Sequence, residues 1–315
     1  MARRADTAGI LAGDRINIAR AITMVENDDP DAEQLLRTVY PHTGRAYRIG
    51  VTGPPGAGKS TLTTRLAAGF RRQDRRVGII AVDPTSPFTG GAVLGDRVRM
   101  GDVELDAGVF IRSMASRGNP GGLSKAAGDA ADILDAAGMD IILFETVGVG
   151  QSELDVARAA DLTLVVLVPE SGDGVQAMKA GLMEIADLFV MNKADRPGAE
   201  QAVQALTSSL GLRQSAGPLP DVIQTVAHEG KGVDDLLSAI GRFRERMGAS
   251  GEDTRRRHTR IENRIADIVI SKVRRQLWTP ERRADLVTAV DAVMRGELTP
   301  FDVAHRLVDS IGSSL

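Results

Sequence analysis

Short apolar runs alternate with helical stretches along the middle of the chain. Seven runs recur from residue 46 onward: "YRIGVTG", "RVGIIAVDP", "GVFIRSM", "DIILFETVG", "DLTLVVLVPE", "DLFVMNKAD" and "PDVIQTVA". Most are almost continuously apolar, which predicts strands covered on both faces in a parallel sheet. Helical stretches lie between them, for example at residues 124–138 and 232–247. The pattern therefore predicts right-handed βαβ units and a doubly wound α/β domain over residues 46–248.

The segment before this domain is helical by pattern. Residues 8–40 predict two amphipathic helices, and Pro30 and Pro41 bound the second. The period of the first helix is set by Ile16, Ala19, Arg20, Ile22 and Thr23. We assign residues 1–45 to an N-terminal helical extension.

The segment after the domain, residues 249–315, predicts helices throughout, with Pro280 and Pro300 at helix starts. It carries an apolar stripe at helical spacing that is longer than a lone terminal helix needs. The stripe consists of Ile261, Ile265, Ile268, Val269, Val273 and Leu277. Two interpretations stay open: packing onto the α/β domain, or a subunit interface that makes the chain a homodimer.

Composition limits the partners, the chemistry and the cellular location that we expect of the chain. The 315 residues carry a formal net charge of −3, so no overall basic field attracts nucleic acid or anionic lipid, and we expect neither as a partner. Cysteine is absent, which excludes disulfides, thiolate metal sites and thiol catalysis. The first residues resemble neither a signal peptide nor a membrane anchor, so we expect a cytoplasmic protein.

The stretch "VTGPPGAGKSTL" joins the first strand to a helix. Its Gly53, Gly58, Lys59 and Ser60 fit the phosphate-loop pattern G-x-x-x-x-G-K-S/T in the context that the pattern requires. Side-chain-free residues let backbone N–H groups converge on a phosphate, and the helix start adds the positive end of its dipole. The predicted nucleotide-binding residues of this loop are Gly53, Pro54, Pro55, Gly56, Ala57, Gly58, Lys59, Ser60 and Thr61. Together with the strand pattern they predict a P-loop NTPase fold.

A second motif indicates which base is bound. Asn192, Lys193 and Asp195 end an apolar strand with the spacing of the N-K-x-D guanine signature. An Asp carboxylate only accepts hydrogen bonds, so it suits the ring N–H and amine of guanine and opposes adenine. The Lys193 stem would lie along the base, and Ala227 would offer its N–H to the guanine O6. These residues predict GTP or GDP as the ligand.

Metal ligands are expected near the phosphates. Asp83 and Glu145 end strands, and Asp96 follows in a Gly-rich loop. Ligands of open α/β sheets lie at the carboxyl ends of the strands, and hard oxygen ligands suit Mg²⁺. With the Ser60 hydroxyl, these three carboxylates form the predicted magnesium site.

A switch follows Glu145. Gly148 would donate its N–H to the γ-phosphate and release it after hydrolysis, which makes Lys59, Glu145 and Gly148 the predicted catalytic set. Many GTPases orient water with Gln after this glycine, whereas this chain has Val149, and the nearest amide is Gln151. An apolar side chain cannot orient water. We therefore expect slow intrinsic hydrolysis, on the order of 10⁻⁴ to 10⁻² per second, that a partner accelerates.

These motifs with their spacers resemble the MeaB/ArgK family of GTPases, which are associated with methylmalonyl-CoA mutase. The likeness spans nearly the whole chain. It is carried by "GDRINIARAITMVEN", "GVTGPPGAGKSTL", "AVDPTSPFTGGAVLGDRVRM", "SMASRGNPGGLS", "FETVGVGQSE", "VPESGDGVQAMKAG" and "MNKAD". The long middle motifs make it specific, because GTPases at large do not share them.

The resemblance implies a G domain with an N-terminal helical extension and a C-terminal dimerisation arm. It also implies a chaperone of an adenosylcobalamin-dependent acyl-CoA mutase, methylmalonyl-CoA mutase or a relative, which gates cofactor loading and protects the mutase. The family's magnesium-linked positions correspond to Asp83, Asp96 and Glu145. An additional switch corresponds to residues 169–181, where Asp173, Gln176 and Lys179 would respond to nucleotide or partner.

Other classes of nucleotide-binding protein share this G domain. A nickel-delivery GTPase would need a cluster of soft or imidazole ligands, but Cys is absent and the four His are scattered. A signal-recognition GTPase would need a Met-rich domain, whereas the ten Met are dispersed. A kinase that transfers the γ-phosphoryl to an acceptor stays open as the alternative function.

Overall fold

The computed structural model describes residues 5–84, 103, 105–116, 122–146, 152–172, 180–212 and 219–312. Within these ranges, all seven predicted runs form parallel strands of one sheet in the order β3-β2-β4-β1-β5-β6-β7. The strands are β1 (Tyr47–Thr52), β2 (Val77–Pro84), β3 (Val109–Ser116), β4 (Ile141–Thr146), β5 (Leu162–Leu167), β6 (Leu188–Asn192) and β7 (Asp221–Thr225). The predicted parallel α/β sheet is confirmed.

Helices flank the sheet and form both ends of the chain. Those at the N-terminus are α1 (Thr7–Leu11), α2 (Arg15–Glu26) and α3 (Ala32–Val39). Those between strands are α4 (Lys59–Arg72), α5 (Gly122–Ala136), α6 (Ser152–Ala159), α7 (Ala180–Ile185) and α8 (Ala199–Leu212). After the last strand come α9 (Val233–Ser250), α10 (Glu252–Leu277), α11 (Pro280–Met294) and α12 (Pro300–Gly312).

The two faces of the sheet are buried by different helices. On one face, Ile80 and Phe144 pack with residues of α2, α3 and α5. On the other, Ile79 and Leu143 pack with residues of α4 and α9. Neighbouring strand residues thus point to opposite cores, which explains why the runs are apolar at nearly every position.

The N-terminal extension differs from the prediction. Gly13 adopts a left-handed φ of +77° and separates α1 from α2, so three helices replace the two predicted. The buried face of α2 also differs, because Ile16 is 59% exposed while Ile18, Ile22 and Val25 are buried. The predicted apolar face of this helix was therefore rotated by part of a turn from the observed one. The reason is that α2 packs its apolar side on α5 and turns a polar flank to β3, where Thr23 accepts a bond from Arg112 (3.1 Å).

A buried ion pair fastens β1 to α5. The Arg48 guanidinium bonds the Asp132 carboxylate at 2.6 Å, with 7% and 3% of the two side chains exposed. One turn later, Asp135 accepts the backbone N–H groups of Gly44, Arg45 and Ala46 at 2.6–3.1 Å. The chain that enters β1 is therefore fixed by carboxylates of one helix.

The chain divides into two compact units, residues 1–257 and 258–315. The division falls inside α10, nine residues after the predicted boundary at 248. Arg256 and Arg257 explain why the first unit extends so far. Arg256 pairs with Asp187 at 2.8 Å, and Arg257 donates to the Gly44 carbonyl at 3.1 Å.

The second unit is helical, as predicted, and α11 and α12 begin at Pro280 and Pro300. A groove of about 360 Å³ lies between its helices. Its lining includes Leu277, Trp278, Val290, Met294, Val303 and Leu307. In the part of the chain that the structure describes, no helix is both long and apolar enough to cross a membrane.

Replacing Arg48 with Met should lower the free energy of unfolding by about 3–5 kcal/mol, because the buried Asp132 carboxylate would lose the guanidinium that pairs with it. The matched control is Arg37→Met, which removes an exposed ion pair with Glu33 and should cost under about 0.5 kcal/mol. The double variant Arg48→Met/Asp132→Leu should recover much of the loss. Urea denaturation followed by circular dichroism measures all three. Equal losses for Arg48→Met and Arg37→Met would contradict the assignment.

Candidate functional site

The predicted site residues within the described ranges lie at the carboxyl edge of the sheet. The phosphate loop follows β1, Glu145 is near the end of β4, Asn192 ends β6, and Ala227 follows β7. Backbone pairing aligns Val51 with Glu145 and Asn192 with Thr225, which brings segments far apart in sequence to one edge. This is where ligands of open α/β sheets bind.

Two glycines allow the phosphate loop to pack closely. Gly53 has a φ of +136°, and a Cβ there would lie 2.1 Å from the Val166 carbonyl oxygen. Gly58 has a φ of +88°, and a Cβ there would lie 2.4 Å from Asn192 Nδ2. Gly58 also precedes the first residue of α4 and has no side chain with which to cap it. No side chain at the Gly58 cap position bonds the first N–H groups of this helix, which suits the helix start to binding an anion.

Lys59 is buried beside the loop. Its ammonium donates to the carbonyl oxygens of Gly53 (2.8 Å) and Pro54 (2.9 Å). Both acceptors are neutral, so a phosphate oxygen would be a stronger partner for the same charge. The site thus holds a cation at the position predicted for phosphate contact.

Ser60 and Glu145 meet at the first turn of α4. The Ser60 hydroxyl donates to Glu145 Oε1, and Glu145 is buried. Beside them, the buried hydroxyls of Thr52 and Thr146 bond each other at 3.0 Å. Two of the four predicted magnesium ligands are therefore adjacent, and both offer the hard oxygen atoms that Mg²⁺ prefers.

Asn192 joins three segments through one buried amide. Its Nδ2 donates to the Ala57 carbonyl in the phosphate loop at 2.8 Å. Its Oδ1 accepts from the Thr225 hydroxyl (3.0 Å) and from the Ala227 N–H (3.1 Å). The side chain is thus a cross-link between the phosphate loop and the loop after β7.

Lys193 reaches back to the phosphate loop. Its ammonium donates to the Gly56 carbonyl at 2.8 Å, and its backbone has a left-handed φ of +57°, which is uncommon outside glycine. Asp195 follows on the same turn and is exposed. The turn is fixed to β7 by the Ala194 N–H, which donates to the Thr225 carbonyl at 3.0 Å.

Two residues near the site were not predicted. Arg65 on α4 donates from Nε to the Ala227 carbonyl (3.2 Å) and from Nη2 to the His228 carbonyl (2.9 Å). Glu153 lies in the first turn of α6, where burial raises the pKa of its carboxyl and the Lys59 charge opposes that shift. Arg65 lies outside the quoted motifs and its contacts span more than 160 residues, so local pattern carries no signal for it. Glu153 is the last residue of the motif "FETVGVGQSE", but the pattern assigns it no role.

Several predicted residues lie outside the described part of the chain. These are Asp96, Gly148, Asp173, Gln176 and Lys179, together with Val149 and Gln151. Asp83 lies at the carboxyl end of β2, two residues beyond the Ala81 that pairs with Glu145, but its side chain is not described. Their roles stay predictions.

The chain is similar to one known family and to several known proteins. The model of the family described as "Methylmalonyl Co-A mutase-associated GTPase MeaB" matches residues 18–282. A Pyrococcus horikoshii protein named as a candidate GTPase is 48% identical over 307 residues, which cover 95% of each chain. The Escherichia coli GTPase ArgK is 40% identical over 253 residues, covering 76% of this chain and 75% of that one.

Two further matches extend the comparison. The mouse protein named methylmalonic aciduria type A homolog, mitochondrial, is 32% identical over 325 residues, covering 97% of this chain and 78% of that one. The crystal structure of a LAO/AO transport system kinase aligns with a TM-score of 0.72 and 30% identity, covering 97% and 96% of the two chains. Because the family match extends over most of the chain, from residue 18 to residue 282, the chain belongs to the MeaB family of GTPases.

Proposed function

We propose that this protein is a magnesium-dependent GTPase that acts as a chaperone of an adenosylcobalamin-dependent acyl-CoA mutase. Its role would be to gate cofactor loading and to protect the mutase. The observation that carries the proposal is the Asn192 cross-link, which ties a phosphate loop to a predicted base-binding loop. The family description and the name of the mouse relative support the choice of methylmalonyl-CoA mutase as the client.

The phosphates would bind in the loop from Gly53 to Thr61. Lys59 would exchange its bonds to Gly53 and Pro54 for β- and γ-phosphate oxygens, because charged acceptors form stronger bonds than carbonyls. The N–H groups at the start of α4 would hold the same oxygens. This arrangement stabilises negative charge that shifts during phosphoryl transfer.

A magnesium ion fits the oxygen donors of Ser60 and Glu145, which already touch. The ion would neutralise charge on the phosphates. Asp83 and Asp96 are the further proposed ligands, and Gly148 the proposed γ-phosphate contact. Asp173, Gln176 and Lys179 are the proposed partner-responsive switch.

The base would lie between the turn of Lys193 and the loop of Ala227. The Lys193 stem crosses from its turn to Gly56 and so borders the proposed base site. Asp195 would accept from the guanine N1–H and 2-amine. The Ala227 N–H, held by Asn192, would be shared with the guanine O6.

The helical arm, residues 249–315, would pair with a second copy. Three stripe residues stay exposed: Ile265 (57%), Val269 (52%) and Val273 (46%). They recur every four residues, so they form one apolar strip along α10. An exposed strip next to an apolar groove favours a partner surface, and a second copy offers the same strip in return.

Replacing Asp195 with Asn should weaken GDP binding at least about tenfold, because a charged acceptor of two hydrogen bonds is lost. Binding of xanthosine diphosphate should strengthen, since the Asn amine can donate to the 2-carbonyl of xanthine. The control is Asp234→Asn, an exposed Asp that pairs with Arg72 on α4. Fluorescence titration measures each affinity. Unchanged GDP affinity in Asp195→Asn would contradict the base assignment.

Adding methylmalonyl-CoA mutase from the same source should raise GTP turnover well above the basal rate, which we expect on the order of 10⁻⁴ to 10⁻² per second. ATP should not be hydrolysed faster, and Lys59→Ala should abolish the stimulated rate. γ-Labelled GTP follows the product, which should be free orthophosphate. A rate unmoved by the mutase would reject this client, and label on a third molecule would favour the kinase alternative.

Replacing Val269 with Asp should shift the protein toward monomer, because pairing would bury an unpaired charge. The matched control is Asn263→Asp, which adds the same charge at an exposed position of α10 on another face. Sedimentation equilibrium over a range of concentrations measures the mass. A wild-type monomer at every concentration, or an unchanged dimer in Val269→Asp, would reject the proposed interface.

A further inference from the structure

Hydrogen bonds hold both the backbone N–H and the backbone carbonyl of Ala227. On its amino side, its N–H donates to Asn192 Oδ1 at 3.1 Å. On its carboxyl side, its carbonyl accepts from Arg65 Nε (3.2 Å) and from the Gly230 N–H (3.2 Å). The position of this one residue is therefore set by a side chain on β6 and a side chain on α4.

Arg65 donates hydrogen bonds to two successive backbone carbonyls. While Nε bonds Ala227, Nη2 of the same guanidinium bonds the His228 carbonyl at 2.9 Å. A guanidinium is planar and its donors have a fixed spacing, so two bonds to neighbouring peptides restrict how those peptides can rotate. The fork fixes the loop after β7 more firmly than a single bond from a flexible ammonium would.

Arg65 belongs to the helix that begins at the phosphate loop. Lys59 and Ser60 start α4, and Arg65 lies less than two turns further along the same helix. One helix therefore links the residues proposed to contact the phosphates to the loop proposed to contact the base. The two arginines at the end of the helix have other partners: Arg71 pairs with Asp106 and Arg72 with Asp234.

We propose that Arg65 is a positioning residue for base selection, which holds the Ala227 N–H within hydrogen-bond distance of the guanine O6. The inference rests on the proposed placement of guanine against Ala227. Arg65 would touch no part of the nucleotide and would act only through the loop. Its loss should therefore weaken the O6 contact and leave the contacts to the N1–H and 2-amine in place.

Three nucleotides separate these contacts. Inosine diphosphate keeps O6 and lacks the 2-amine. 6-Thio-GDP keeps the N1–H and the amine, but its sulfur is a weak acceptor. Arg65→Ala should weaken GDP and inosine diphosphate alike, by about tenfold, and weaken 6-thio-GDP much less. Asp195→Asn should instead weaken GDP binding more than inosine diphosphate binding, because only GDP has the 2-amine.

Two further variants complete the design. Arg65→Lys can reach one carbonyl at most, so its losses should lie between those of the wild type and Arg65→Ala. Arg72→Ala removes an exposed cation from the same helix and should leave all affinities unchanged. Circular dichroism checks that each variant is folded, and Arg65→Lys serves as the test if Arg65→Ala is not.

The possible results separate this inference from the function on which it rests. If wild-type protein does not prefer GDP to 6-thio-GDP, the proposed base placement fails. If it does, but the Arg65 variants weaken all three nucleotides equally or not at all, only the role of Arg65 fails. The expected result is a ratio of GDP to 6-thio-GDP affinity that falls in Arg65→Ala and is retained in Arg72→Ala.

Discussion

The nucleotide site depends on one buried amide that must donate and accept at once. Asn192 gives its N–H to the phosphate loop and takes two hydrogen bonds from residues after β7. A carboxylate of the same shape could not donate and would be a buried charge, while an apolar residue would leave three polar groups without partners. The amide is therefore the element on which the relative placement of the two loops depends.

The fold creates the conditions for this cross-link. Parallel strands bring their carboxyl ends to one edge, so Asn192 and Thr225 lie side by side although 33 residues separate them. The phosphate loop follows β1, two strands away from β6 in the sheet order, and must lean over β5 to reach the amide. Gly53 permits that approach, because any larger residue would collide with the Val166 carbonyl on β5.

Sequence reasoning succeeded where a short pattern has one physical meaning. Continuous apolar runs predicted all seven described strands, and the phosphate loop was predicted from its glycines and Lys59. It failed for the face of α2, since amphipathic spacing does not say that Thr23 would face Arg112. It also missed Arg65, because its partners are backbone carbonyls, which every residue has and which no sequence motif identifies. Contacts of this kind appear only once the chain is folded.

At Lys193, backbone conformation and the proposed ligand binding favour different residues. Its left-handed backbone, with φ of +57°, costs a residue with a Cβ about 1–2 kcal/mol, and glycine would avoid that cost. Glycine, however, has no ammonium to bond the Gly56 carbonyl and no stem to border the proposed base site. A search for stabilising substitutions based on backbone angles would select this position first. Glycine at this position would remove the backbone strain together with the bond to Gly56 and the side chain proposed to border the base.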